Sequence, residues 1–144
     1  TLVLTAGDKK KEITFACITK SENTVPSDAK SATISYTKPS ANTNVNLDAS
    51  IADYFSSDLF ASIEVKQGTS TYDYVIAGSS SFRLYANTEM VITAAEGKEF
   101  YNVEFTTAEN KNGPYVVKVS EDHKTITIIA SAQVRLTEIK VYYK

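Results

Sequence analysis

Apolar and polar residues alternate with a period of two along most of this 144-residue chain, and no other feature limits its fold so strongly. The alternation is plain in "ITFACI" (13–18), "SATISY" (31–36), "SFRLYA" (81–86), "YNVEFTT" (101–107), "YVVKV" (115–119) and "TITIIA" (125–130). These runs are rich in Val, Ile, Thr, Tyr and Phe, and clusters of Gly, Asn, Asp, Ser and Pro separate them. Successive side chains of an extended strand point to opposite faces, so the pattern specifies β-strands buried on one side. Strands are expected near 2–5, 11–18, 31–37, 59–66, 81–86, 88–94, 99–107, 115–120, 124–130 and 132–143. About ten such strands imply an all-β fold, an antiparallel, jelly-roll-like β-sandwich. One stretch departs from the pattern. Leu47, Ile51, Phe55 and Leu59 recur at spacings of four behind Asp48 or Ser50, either of which suits an N-cap, predicting a short helix near 48–56.

Parity assigns the interior. The inward residues are Ile13, Phe15 and Cys17; Ala32, Ile34 and Tyr36; Ala61, Ile63 and Val65; Phe82 and Leu84; Tyr101, Val103 and Phe105; Tyr115, Val117 and Val119. In the last strand Val134 and Leu136 share one parity while Ile139, Val141 and Tyr143 share the other, so a β-bulge is expected at Thr137 or Glu138. "SEDHKT" (120–125) and "AENKNGP" (108–114) have the turn chemistry of hairpin loops. "KPSANTNVN" (38–46) is the most linker-like piece, with nothing to bury, and is where a sub-boundary would fall. The strand-rich segment before it is too short for a comfortable core of its own. One sandwich domain spanning 1–144 is therefore expected, with roughly 70% of the unfolded chain's surface buried.

Fifteen basic and 17 acidic residues, well interspersed, leave a net charge of −2, without the basic footprint that nucleic acid or an anionic membrane requires. The longest apolar runs are strand-sized, far short of the ~20 residues of a spanning helix, so no membrane insertion by this segment is expected. The lone Cys17 excludes an intramolecular disulfide. Ser, Thr, Asn and Tyr are abundant while Leu, Met and Trp are scarce, a composition common in exported β-rich bacterial domains. The chain opens on "TLVLT" without an initiator methionine. The expected location is the cell surface or periplasm, with a lipid anchor carried by a preceding segment.

The residues offer little to catalysis. His123, the only histidine, is expected at the exposed tip of a turn, where unusual backbone angles are tolerated. Far from Cys17, it gives no basis for a histidine-activated nucleophile or a transition-metal site. Single scattered glycines do not make a phosphate loop, and "AGSSS" (77–81) lacks the second glycine of a nucleophile elbow. Glu89, Glu96, Glu99, Glu104 and Glu109 fall on outward parities or in turns, as solvated charges do. Asp48, Asp53 and Asp58 are weak candidates for calcium, since their spacing of five does not match an alternating ligand loop. No enzyme activity, metal or cofactor is expected.

Binding is better served. Nine tyrosines without a tryptophan make tyrosine the flat surface on which a sugar or peptide would stack. Tyr72, Asp73 and Tyr74 lie in the glycine-bracketed "GTSTYDYVIAG" (68–78), where an aromatic pair around a carboxylate suits a polyol. Arg83 and Tyr85 point away from Phe82 and Leu84, about 7 Å apart along one strand. They form either a small binding platform or ordinary surface decoration, with Arg83 in a cation–π contact or paired to Glu64 or Glu104.

From about residue 59 onward the chain resembles a β-sandwich module that recurs in surface and periplasmic lipoproteins of gut Gram-negative anaerobes. The module's "RFY", "TLTISAP", "KITKIVFT" and "QVRITSITVTY" strands correspond to Phe82–Tyr85, Glu89–Ala94, Lys98–Thr106 and Gln133–Tyr143. These motifs are structural and carry no catalytic residue; residues 1–44 have no counterpart. The resemblance implies a jelly-roll-like, carbohydrate-binding accessory domain of an exported protein. The alternative is a structural or adhesion module of a cell-surface assembly, whose partner is a protein and which has no small-molecule ligand.

Overall fold

The computed structural model describes residues 23–47 and 49–144 together with the backbone of two strands at 2–6 and 9–13; side chains at 49–50 and 107–112 lie outside the description. The strands are β1 (Leu2–Ala6), β2 (Lys9–Ile13), β3 (Lys30–Tyr36), β4 (Thr43–Asn46), β5 (Phe55–Ser56), β6 (Phe60–Lys66), β7 (Tyr74–Ala77), β8 (Phe82–Leu84), β9 (Glu89–Ala94), β10 (Phe100–Asn112), β11 (Tyr115–Val119), β12 (Thr125–Ala130) and β13 (Val134–Tyr143). β1 and β2 pair with each other as a two-stranded sheet. The rest form a seven-stranded and a four-stranded sheet, antiparallel throughout and packed face to face. This is the antiparallel β-sandwich that the alternation predicts.

β13 organises the larger sheet. Along one edge it carries β10. Along the other, β8 pairs with Val134–Leu136 and β3 with Glu138–Tyr143. β7 and then β4 extend the sheet beyond β8, and β5 extends it beyond β3. The smaller sheet runs β11-β12-β9-β6. Ile34, Phe82, Leu84, Val134, Leu136, Ile139 and Val141 from the first sheet meet Ile63, Val65, Met90, Ile92, Ile126 and Ile128 from the second, all essentially inaccessible. Each such side chain contributes about 1.5–3 kcal/mol on leaving water. Tyr36, Phe55 and Phe82 add a knot of tilted and edge-on rings, with centroids 5.1–5.8 Å apart.

The bulge expected in the last strand is present. Thr106 pairs with Glu138 but Thr107 with Leu136, leaving Thr137 as the extra residue. Two further bulges correct the parity reading. Ala61 is exposed, because the β6–β9 register shifts between Phe60 and Ser62. Tyr101 is likewise not core: β10 shifts register between Phe100 and Asn102, so Phe100 is the buried residue. Ala32, Phe105, Tyr115 and Val119 are half-buried and pack against the core, whereas Ile13, Phe15 and Cys17 fall outside the described side chains.

Three segments expected to be irregular contain strand. Residues 43–46 form β4, and Val45, only 5% exposed, does have something to bury. The supposed loop 68–78 supplies β7, and β10 runs on to Asn112 through what reads as a hairpin loop. The predicted helix is a single six-residue 3-10 helix, Ala49–Tyr54, which buries Ile51. At six residues it already exceeds the three or four that a 3-10 run usually reaches; the N-cap candidate Asp48 lies outside the described residues.

Candidate functional site

The outer face of the larger sheet collects four of the five residues singled out for binding. Register dictates this. Ile76 on β7 pairs with Arg83 on β8, so one step along, at the same parity, Tyr74 comes opposite Tyr85. The two rings meet edge to face at 5.6 Å. Tyr72 arrives from the loop before β7 and lies flat on Tyr85, with centroids 4.1 Å apart and planes 21° from parallel, while touching Tyr74 edge-on at 5.7 Å. Three tyrosines from two chain segments thus make one cluster. Asp73 is exposed at its side.

The loops that carry these rings are locked together. The Tyr72 amide donates to the Ser70 hydroxyl at 3.1 Å, and the Ser70 amide donates to the Gln67 carbonyl at 3.0 Å. Gly68, at φ 57°, lies so close to the following turn that a Cβ there would fall 2.3 Å from the Asn87 carbonyl oxygen. That second turn leads straight on from Tyr85. Thr88 donates to the Tyr85 carbonyl from both its amide (3.2 Å) and its hydroxyl (2.7 Å), and Asn87, itself at φ 63°, donates to Ala130 at 2.6 Å. The tyrosine stack is held from below by backbone contacts, not by its rings alone.

The geometry also limits what the cluster can do. The Tyr72–Tyr85 stack hides one face of each ring, leaving the outer face of Tyr72, 43% exposed, as the open aromatic surface. Burial, and then hydrogen bonding to Tyr74, holds the Tyr85 phenol above the usual tyrosine range. The Tyr85 phenol therefore stays protonated at ordinary pH, and the cluster offers stacking surface and hydroxyl groups.

Arg83 is half-buried two residues from Tyr85, on the same face. Neither expected carboxylate partner reaches it. Glu64 pairs with Lys66 at 3.4 Å and Glu104 with Lys140 at 3.7 Å.

A concavity elsewhere on the molecule escaped the sequence. Tyr101, turned outward by its bulge, and His123 line a cleft of about 440 Å³ with Asn23, Thr24, Val119, Ser120 and Glu121. His123 does adopt a left-handed backbone, φ 57°, but it is half-buried, not exposed. Its ring lies 4.4 Å from that of Tyr101, and its Nδ1 is 3.0 Å from the Phe100 carbonyl, which can only accept, so Nδ1 carries the proton. The Ser120 hydroxyl is committed to its turn, donating to Asp122 at 2.6 Å and accepting from the Thr125 amide at 2.9 Å. It is not poised as a nucleophile. The signal for this cleft was the parity break at Tyr101, which no single strand reveals.

Among the described residues, no group of three or more His, Cys, Asp or Glu side chains is placed to hold a metal ion. Asp53 and Asp58 are separately exposed. Among the described residues, no helix is long and apolar enough to cross a membrane. Comparison with family models, with curated proteins and with solved structures returns no match to this chain.

Proposed function

We propose that this protein is a non-catalytic β-sandwich module of an exported, cell-surface or periplasmic protein and that it binds glycan through the Tyr72–Tyr74–Tyr85 face. The observation that carries the reading is the union of the three tyrosines, Tyr72 from the loop before β7, Tyr74 from β7 and Tyr85 from just after β8, into one partly open aromatic surface. A pyranose ring presents a C–H face that packs on an aromatic face, and its hydroxyls suit the flanking phenols, Asp73 and Arg83. The pre-ordered loops reduce the conformational entropy lost on binding. Composition and the resemblance of residues 59–144 to lipoprotein modules support the exported setting.

Glycan arrays followed by calorimetry test the reading. Binding is expected in the micromolar to millimolar range, and Tyr72→Ala is expected to weaken it by roughly tenfold, the loss of about one stacking contact. An array without a hit, or binding indifferent to Tyr72→Ala, sinks it and leaves the adhesion-module alternative.

A further inference from the structure

The outer face holds a feature beyond the tyrosines. In the β8–β13 register Arg83 lies directly opposite Arg135, so two guanidinium side chains leave the sheet side by side with Cβ atoms about 4.5–5.5 Å apart. Like charges in this position repel, and proteins usually separate them or insert a carboxylate. Among the described residues no carboxylate intervenes: neither arginine makes an ion pair, and the Nε of each is buried without a hydrogen-bond partner. Both side chains are half-buried. Their stems and Nε atoms are packed down, which restricts their rotamers, and no hydrogen bond or ion pair occupies either guanidinium among the described residues.

The flanking residues on the same row are Ile76, opposite Arg83 on β7, and Asn44, opposite Ile76 on β4. One step along the strands stands Tyr85 with Tyr72 stacked on it. Arg83 is close enough for its charge to act on the Tyr85 hydroxyl. A doubly cationic, donor-rich edge therefore adjoins a flat aromatic surface. Guanidinium forks match the oxygen spacing of carboxylate and sulfate, and an oxyanion between two of them would relieve their mutual repulsion.

We propose that Arg83 and Arg135 together bind the anionic substituent, carboxylate or sulfate, of an acidic sugar whose ring packs on Tyr72, so that the ligand class is acidic glycan. This rests on the glycan reading above and extends it.

The test compares the folded protein's affinity for oligogalacturonate, a sulfated heparin oligosaccharide, a neutral manno-oligosaccharide of equal length and inorganic sulfate. The Arg Nε–Hε resonances are followed by NMR. At least one acidic oligosaccharide is expected to bind about tenfold or more tighter than the neutral one, as one or two charge-assisted hydrogen bonds allow. It should shift both Arg resonances and weaken with salt. Which acidic oligosaccharide does so distinguishes carboxylate from sulfate. Arg135→Gln should abolish the preference while leaving any neutral-sugar binding in place, and Arg135→Lys, which keeps charge without the fork, should fall between. Thermal melts of the variants check folding; relief of repulsion predicts that Arg135→Gln melts no lower than wild type. Equal affinity for acidic and neutral oligosaccharides overturns the proposal, as does an unchanged preference in Arg135→Gln. With Tyr72-dependent neutral binding retained, either result leaves the glycan reading standing. Inorganic sulfate binding as tightly as the acidic oligosaccharides overturns the assignment to a sugar. No oligosaccharide binding at all overturns both.

Discussion

Tyr36 shows how much one residue can join. Its ring belongs to the aromatic knot with Phe55 and Phe82, and its hydroxyl donates to the Gly78 carbonyl at 2.8 Å, tying β3 to the turn between β7 and β8. Desolvation pushes its phenol up to about 12. An unfolded chain releases that proton near pH 10, so the folded state holds it more tightly. The associated stability is fully present below pH 10 and is lost as pH rises from about 10 to about 12, amounting to roughly 2–3 kcal/mol. Denaturant unfolding of wild type and Tyr36→Phe across pH 8–12 should show a steeper alkaline decline in wild type, the difference opening in that window. Parallel curves would show that the Tyr36 phenol ionises freely. Residue-level legibility is uneven for a related reason. Ile34, Ile63, Val65, Phe82, Leu84, Val103 and Val117 are buried as alternation predicts, but Ala61 and Tyr101 are not, because each is the extra residue of a bulge. A bulge depends on the partner strand, which local parity does not contain.

Among the elements, the loops before β7 and after β8 matter most, because they place the tyrosines. Gly68 is their contact point. Ala there must adopt a left-handed backbone and place a Cβ 2.3 Å from a carbonyl oxygen. Gly68→Ala is expected to lower stability by roughly 2–3 kcal/mol, read as a shifted denaturant midpoint at constant slope. Glycan affinity should fall with it as Tyr72 loses its support. A neutral effect on both would mean that the loop is not held as described. The segments misread as loop or linker, 43–46 and 74–77, explain themselves at this scale. β4 and β7 are four residues each and pair with one another in sequence-distant fashion. Strands so short carry little period-two signal, and Asn-rich β4 becomes a strand only because β7 offers it hydrogen bonds.

On the scale of the molecule, the sheets are stitched by distant pairings, β3 with β13 and β4 with β7 among them. Such topologies fold slowly, since loop closure precedes any gain from pairing. Stopped-flow refolding is expected in the range of milliseconds to seconds; microsecond folding would contradict a core assembled from these contacts. The same long-range pairing separates what was legible from what was not. Alternation, β-branched composition and turn residues determined that the chain makes half-buried strands, that these stack as a sandwich, and that Arg83 and Tyr85 point away from the core, because strand parity is a local property of the backbone. Tertiary structure alone decided that Tyr72 lies flat on Tyr85, that Glu64 and Glu104 go to lysines, and that Arg135 stands beside Arg83. Those outcomes depend on register between strands remote in sequence, which is set only when both sheets close over a common interior.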